Sequence, residues 1–83
     1  MDLLRKQILY RSTHRGCKET DFLIGEFAKS NLQKITDLEL FGRFLEEDDL
    51  EIYDWILEKN QEPGHYKSIV EQIKEFHKIS TQQ

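Results

Sequence analysis

Eighty-three residues with 12 Lys or Arg against 16 Asp or Glu, a net charge of −4, describe one small acidic domain spanning residues 1–83. Folding at this length buries roughly 60–65% of the surface the unfolded chain exposes, which leaves little room for a substrate cavity of roughly 300–1,000 Å³ and weighs against a self-contained enzyme. The acidic total also weighs against nonspecific nucleic-acid binding, which needs a broad basic face.

Helical periodicity dominates, and no alternating strand pattern lies between turn dipeptides. The first helix is expected over Asp2 to Ser12, with Leu4, Ile8 and Leu9 facing inward, and ends in a corner at Thr13 to Gly16. Gly16 suits that corner because glycine can take a positive φ or let another backbone approach closely. The second helix is expected from Cys17 to Ser30 with Phe22, Leu23, Phe27 and Ala28 as its buried stripe. Glu19 and Asp21 in its first turns complement the exposed N–H groups of a helix start. Gly25 inside this helix costs about 1 kcal/mol relative to Ala, and close packing against another helix explains it.

A third helix opens at Thr36-Asp37-Leu38-Glu39, which reads as a capping box between Thr36 and Glu39, and buries Leu38, Phe41, Phe44 and Leu45. The fourth opens at Asp48-Asp49-Leu50-Glu51 and buries Ile52, Tyr53 and Ile56, with Trp55 as a further candidate. Pro63 and Gly64 punctuate the loop from Asn60 to Gly64. The fifth carries Tyr66, Ile69, Val70, Ile73 and Phe76 at spacings of three and four, and a polar tail covers 80–83. The expected fold is all-α, a compact antiparallel bundle of about five short helices.

Charge divides unevenly. Residues 1–18 carry a net of +4 and residues 19–83 a net of −8, so the N-terminal arm could steer toward an acidic patch on a partner. A single cysteine excludes an internal disulfide and fits a reducing compartment. No apolar run approaches the roughly 20 residues of a membrane span, and Arg5, Lys6 and Gln7 interrupt the N-terminal apolar residues that a signal-peptide core would need. A bacterial cytoplasm or an equivalent interior is the expected location, with no membrane insertion.

The corner from Tyr10 to Asp21 is the candidate functional surface, since it sets Arg15 and Glu19 beside one glycine at a helix–helix junction. The plainer reading of Arg11, Arg15 and Glu19 is a surface ion-pair network worth roughly 0–1 kcal/mol; close backbone approach at Gly16 favours a docking role. Cys17 has basic neighbours near a helix start, but no positioned base accompanies it, so it reads as a packing residue and no catalytic residue is expected. His14, His65 and His77 are scattered without the spacing of metal ligands, and no metal is expected. The run Glu46, Glu47, Asp48, Asp49, Glu51, Asp54 lacks the alternating oxygens and central Gly of a calcium loop. Capping accounts for Asp48 or Asp49 and for Glu51, and a solvated face or a partner surface accounts for the others.

These residues resemble a known family. Arg11-Ser12, Arg15-Gly16, Glu19 and Asp21 are similar to the R-S-x-x-R-G-x-x-E-x-D signature of the succinate dehydrogenase flavin-assembly factors, or flavinators. Phe41, Phe44-Leu45-Glu46, Asp48-Asp49 and Trp55-Ile56 resemble the family's second block, F-x-x-L-L-E-x-x-D followed by an aromatic W-L helix. The chain departs from the pattern at Cys17, usually Met, at Thr20, usually aliphatic, at His14, commonly basic, and at Phe44 and Ile56, usually Leu. The resemblance implies a five-helix bundle that binds the flavoprotein subunit of succinate dehydrogenase, and in bacteria sometimes fumarate reductase. It implies that the bundle promotes covalent attachment of FAD to that client while holding no cofactor stably itself. It further implies a partner-binding set of Arg11, Ser12, Arg15, Gly16, Glu19 and Asp21. In that set Arg15 and Glu19 pair with the client, Gly16 lets the backbones meet, and Arg11 and Ser12 support the corner. A toxin-neutralising partner and a nucleic-acid binder using the basic first helix are the alternative classes.

Overall fold

Apolar residues three and four apart build five α-helices and two single 3-10 turns, with no strand among the described residues, 2–79, of the computed structural model. Helix α1 (Leu3–Thr13) starts at Asp2, whose carboxylate accepts from the Arg5 backbone N–H at 2.8 Å. Helix α2 (Lys18–Asn31) runs on into a 3-10 turn at Leu32–Lys34. Helices α3 (Leu38–Phe44) and α4 (Asp49–Ile56) follow, and a second 3-10 turn at Gly64–Tyr66 leads into α5 (Lys67–His77). The central element is α2, which packs against α1, α4 and α5; α1 also meets α3, and α4 meets α5. The radius of gyration is 11.9 Å, matching the about 12 Å of a compact chain this long.

Ile8, Ile24, Phe41, Phe44, Ile52, Ile56, Val70 and Ile73 form the fully buried centre. Phe44 gathers its aromatic part, with Tyr66 edge-on at 5.3 Å, Phe41 at 6.0 Å and Trp55 at 6.2 Å. The all-α bundle of five short helices expected from the sequence is the one observed.

Several inward faces differ from expectation, each for a local reason. Leu4 is half exposed, because α1 turns Ile8 and Ser12 toward α2. Phe22 is 59% exposed, and the buried stripe of α2 is Thr20, Ile24, Phe27 and Ala28 with Gly25 beside it. The contact at Gly25 sets that rotation: a Cβ there would lie 3.3 Å from the Ser12 carbonyl oxygen, so the two backbones meet where only glycine fits easily. In α4 the buried residues are Ile52, Trp55 and Ile56, leaving Tyr53 half-buried under Lys59, whose Nζ lies 5.5 Å from the ring centre. Phe76 on α5 is 38% exposed. The capping box also gives way, since Asp37 caps α3 by accepting from Leu40 N–H at 3.0 Å and thereby shifts the cap one residue past Thr36. The polar tail expected at 80–83 lies outside the described residues.

Three polar contacts tie α5 and the turn before it to the bundle, one of them between a His77 ring nitrogen and the Leu23 carbonyl at 2.7 Å. Lys74 is buried along its stem and its ammonium meets Glu58 at 3.0 Å. The Tyr66 hydroxyl donates to Glu47 Oε2 at 2.8 Å. Burial, and then this bond to an anion, pushes the Tyr66 phenol up to about 12.

Two outcomes follow from this packing. Gly25→Val forces γ-methyl groups onto the Ser12 carbonyl and should lower stability by about 1–3 kcal/mol in thermal or urea unfolding, the usual cost of overpacking; an unchanged midpoint would contradict the close approach. The folded state holds the Tyr66 proton to higher pH than the unfolded chain does, so its contribution is complete below pH 10 and is lost as pH rises toward about 12. Unfolding curves of wild type and Tyr66→Phe should therefore converge across that window.

Candidate functional site

The corner between α1 and α2 is closed by one side chain. Arg15, in the link between the two helices, has a side chain only 8% exposed. Its Nε donates to Asp49 Oδ1 at 2.8 Å, one Nη donates to the Leu45 carbonyl at 2.7 Å, and the other reaches the Glu47 carbonyl at 3.4 Å. Arg11, four residues earlier, donates to the Gly42 carbonyl at 2.9 Å and stands 3.7 Å from Glu46. Gly42 and Leu45 lie at the C-terminal end of α3, where helix carbonyls lack helical partners and the dipole is negative. Two arginines one helical turn apart thus cap α3, and the second also grips the first turn of α4.

Further bonds fix the link itself. The Arg15 backbone N–H donates to Asp21 Oδ1 at 3.0 Å, and the Gly16 N–H donates to Asp49 Oδ2 at 3.1 Å. Thr20 is fully buried, and its hydroxyl donates to the Asp49 carbonyl at 3.1 Å. Ser12 is equally buried and donates to the Ile8 carbonyl at 2.7 Å, within the α1–α2 contact. The six residues singled out in the sequence therefore divide. Arg11, Ser12, Arg15 and Asp21 bond to other groups of the chain from buried or half-buried positions, while Gly16 and Glu19 are exposed. The expected surface network among Arg11, Arg15 and Glu19 is corrected accordingly, since both arginines find carboxylates on the α3–α4 side.

Gly16 does not use a positive φ, and neither does any other described glycine. A Cβ there would lie 3.7 Å from Asp49 Oδ2, an ordinary contact, so openness toward solvent is what distinguishes the position. Glu19 sits in the first turn of α2, and its own backbone N–H, then the Cys17 thiol at 3.3 Å, hold its carboxyl below its ordinary value. Cys17 is the N-cap residue of α2. The ring nitrogens of His14 and His77 bond to the carbonyls of Tyr10 and Leu23, away from that thiol.

Asp49 and Thr20 are the site residues that sequence reading missed. A signal for Asp49 was present: one carboxylate suffices to cap α4, and Asp48 does so through Leu50 N–H at 3.1 Å, which leaves Asp49 spare. The basic N-terminal segment is less free than its charge suggests, because Arg5, Arg11 and Arg15 all pair within the chain. A cavity of about 200 Å³, floored by Phe27, Phe41 and Ile69, opens between the start of α3 and α5. Among the described residues no three His, Cys, Asp or Glu side chains converge as metal ligands do, and no helix is long and apolar enough to cross a membrane.

A family model described as "Flavinator of succinate dehydrogenase" (Sdh5) matches residues 6–77. The chain is 35% identical to the mitochondrial succinate dehydrogenase assembly factor 2 of Dictyostelium discoideum, over 93% of this chain and 56% of that protein. It is 35% identical to the protein of the same name from Kluyveromyces lactis, over 94% of this chain and 52% of the relative. The Scheffersomyces stipitis protein is 40% identical over 66% of this chain and 38% of its own length. The chain spans about half the length of these relatives, or less. No solved structure matches it. The expectation of a bacterial cytoplasm is corrected by the relatives' names, which place them in eukaryotic mitochondria. One cysteine and the lack of a long apolar run suit either interior, so composition could not separate the two.

Removing Arg15 tests the clasp. Arg15→Met removes the donor to Asp49 Oδ1 and to the carbonyls of Arg11, Leu45 and Glu47. It should cost about 3 kcal/mol, the lower end for breaking a buried pair because Asp49 keeps some solvent. Arg15→Lys should recover only part, since a point charge cannot reproduce the fork. Denaturant unfolding of Arg15→Met, Asp49→Asn and the double variant should show strong non-additivity. Additive losses would mean that the two side chains do not act as a pair.

Proposed function

The chain belongs to the flavinator of succinate dehydrogenase family, and we propose that it binds the flavoprotein subunit of succinate dehydrogenase and promotes covalent attachment of FAD to it. The setting proposed is mitochondrial, as the relatives' names state for them. The observation that carries the reading is the division at the corner, where a rigid internal clasp leaves Gly16 and Glu19 exposed together on the α1–α2 junction. Such a surface suits protein docking: glycine leaves the backbone approachable, and an anchored carboxylate one turn away offers a charge.

The protein's own part is binding rather than chemistry. The Cys17 thiol donates to the Glu19 carboxylate, which is held below its ordinary value and is a poor base for a thiol, and the His14 and His77 rings bond elsewhere. The cavity between α3 and α5, about 200 Å³, is smaller than ligand sites of roughly 300–1,000 Å³, and the larger hollows, about 300–390 Å³, lie open at the surface. The covalent step is assigned to the client and its own flavin, with this chain holding the client in a competent conformation. No flavin stays with the bundle, and the fumarate reductase flavoprotein is a second client by the same contact.

Co-expression with the flavoprotein subunit tests the proposal, with covalent FAD read as in-gel fluorescence of the denatured subunit. Wild type should raise covalent FAD well above the level reached without it. Gly16→Val should abolish the gain while leaving helicity and thermal midpoint near wild type, because the added Cβ meets only an ordinary contact at an exposed position. Glu19→Ala should lower client affinity about tenfold. Full activity in both variants would remove the corner from the interface, and unfolding of both would make it structural only.

A further inference from the structure

We infer that Asp49 is a positioning residue for client docking, holding the α1–α2 corner in the arrangement that presents Gly16 and Glu19. The inference rests on the functional reading above and extends it to a residue on another helix. Asp49 makes three bonds to three successive parts of the corner: Oδ1 accepts from Arg15 Nε, Oδ2 from the Gly16 N–H, and its carbonyl from the Thr20 hydroxyl. These points run from the link between the helices to the first turn of α2. None of the three is needed for α4 itself, whose start is capped by Asp48.

The link leaves its backbone few other anchors. The Arg15 N–H is held by Asp21 from within α2, and the Gly16 N–H is held by Asp49 from α4. Without the second carboxylate, the residue with the greatest backbone freedom would stand at the corner with its amide unbonded. The docking surface would then sample several arrangements, and the client would have to order it again on binding, which lowers affinity without removing any contact to the client. Asp49 is therefore separable from a residue that touches the client and from one that only stabilises the bundle.

The test compares Asp49→Ala and Asp49→Asn with Val70→Ala, a buried α5 position that takes no part in the corner's hydrogen bonds. Each protein is held at the same interval below its own thermal midpoint. Affinity for the purified flavoprotein subunit is measured by titration, and exchange of the Gly16 amide by NMR. Asp49→Ala should weaken client binding about tenfold or more and speed Gly16 exchange far more than exchange elsewhere. Asp49→Asn, which keeps an acceptor oxygen in place, should fall between wild type and Ala, and it carries the test if the Ala variant fails to fold. Val70→Ala should unfold at lower temperature yet bind within about twofold of wild type. Equal loss of affinity in Val70→Ala and the Asp49 variants, or unchanged affinity in the Asp49 variants, would overturn the inference. Failure of wild type itself to bind the subunit would overturn the functional reading and this inference with it, a result distinct from selective failure at Asp49.

Discussion

The arrangement of the first four helices depends on where one guanidinium puts its hydrogens. Arg15 lies in the link after α1, points across to the end of α3, and takes Asp49 from the first turn of α4. A charge with an 8% exposed side chain persists only if it is paired and its donors are used, and here carbonyls that α3 cannot satisfy internally accept them. The same bonds therefore offset the desolvation of arginine and the open end of a short helix. Neither would be stable alone: a seven-residue helix is too short to hold itself in water, and an unpaired buried cation would leave for solvent.

That coupling extends to the far side of the bundle. Glu47 lends its carbonyl to Arg15 and its carboxylate to the Tyr66 hydroxyl, so the turn between α3 and α4 is held from the α1 side and the α5 side at once. Tyr66 in turn packs edge-on to Phe44 at the aromatic centre. A thin core, in a chain that exposes much of its surface, is thus supplemented by a few polar contacts that each join two elements. Lys74 and Glu58 make another between α5 and the end of α4.

The helices were legible because their period and their acidic starts are local properties: Asp48 caps α4 as its position suggested, and Gly25 sits at a close helix–helix approach. The direction each helix faces was less legible. Phe22 outweighs Thr20 in hydrophobicity, yet Thr20 is buried, because backbone contact at Gly25 fixes the rotation and Asp49 gives the hydroxyl a partner. The corner was legible as a cluster of charges, since they are close in sequence. Its wiring was not, because Arg15 and Asp49 are 34 residues apart and several acids in 46–54 could have served equally well on charge alone. What separates Asp49 from Asp48 is that one carboxylate is consumed by its own helix and the next one is not.

An interior clasp beneath an exposed glycine and glutamate also bears on the docking role proposed above. Exposed ion pairs contribute little, roughly 0–1 kcal/mol, and long charged side chains lose freedom when they engage a partner. Here the long side chains, Arg11 and Arg15, are already bonded within the chain, and the groups left outward are a backbone and a carboxylate at a helix start that accepts from the Cys17 thiol. Little remains to be ordered on contact. In the proposed docking role the corner would act through rigidity more than through net charge, which fits a chain whose overall charge is −4.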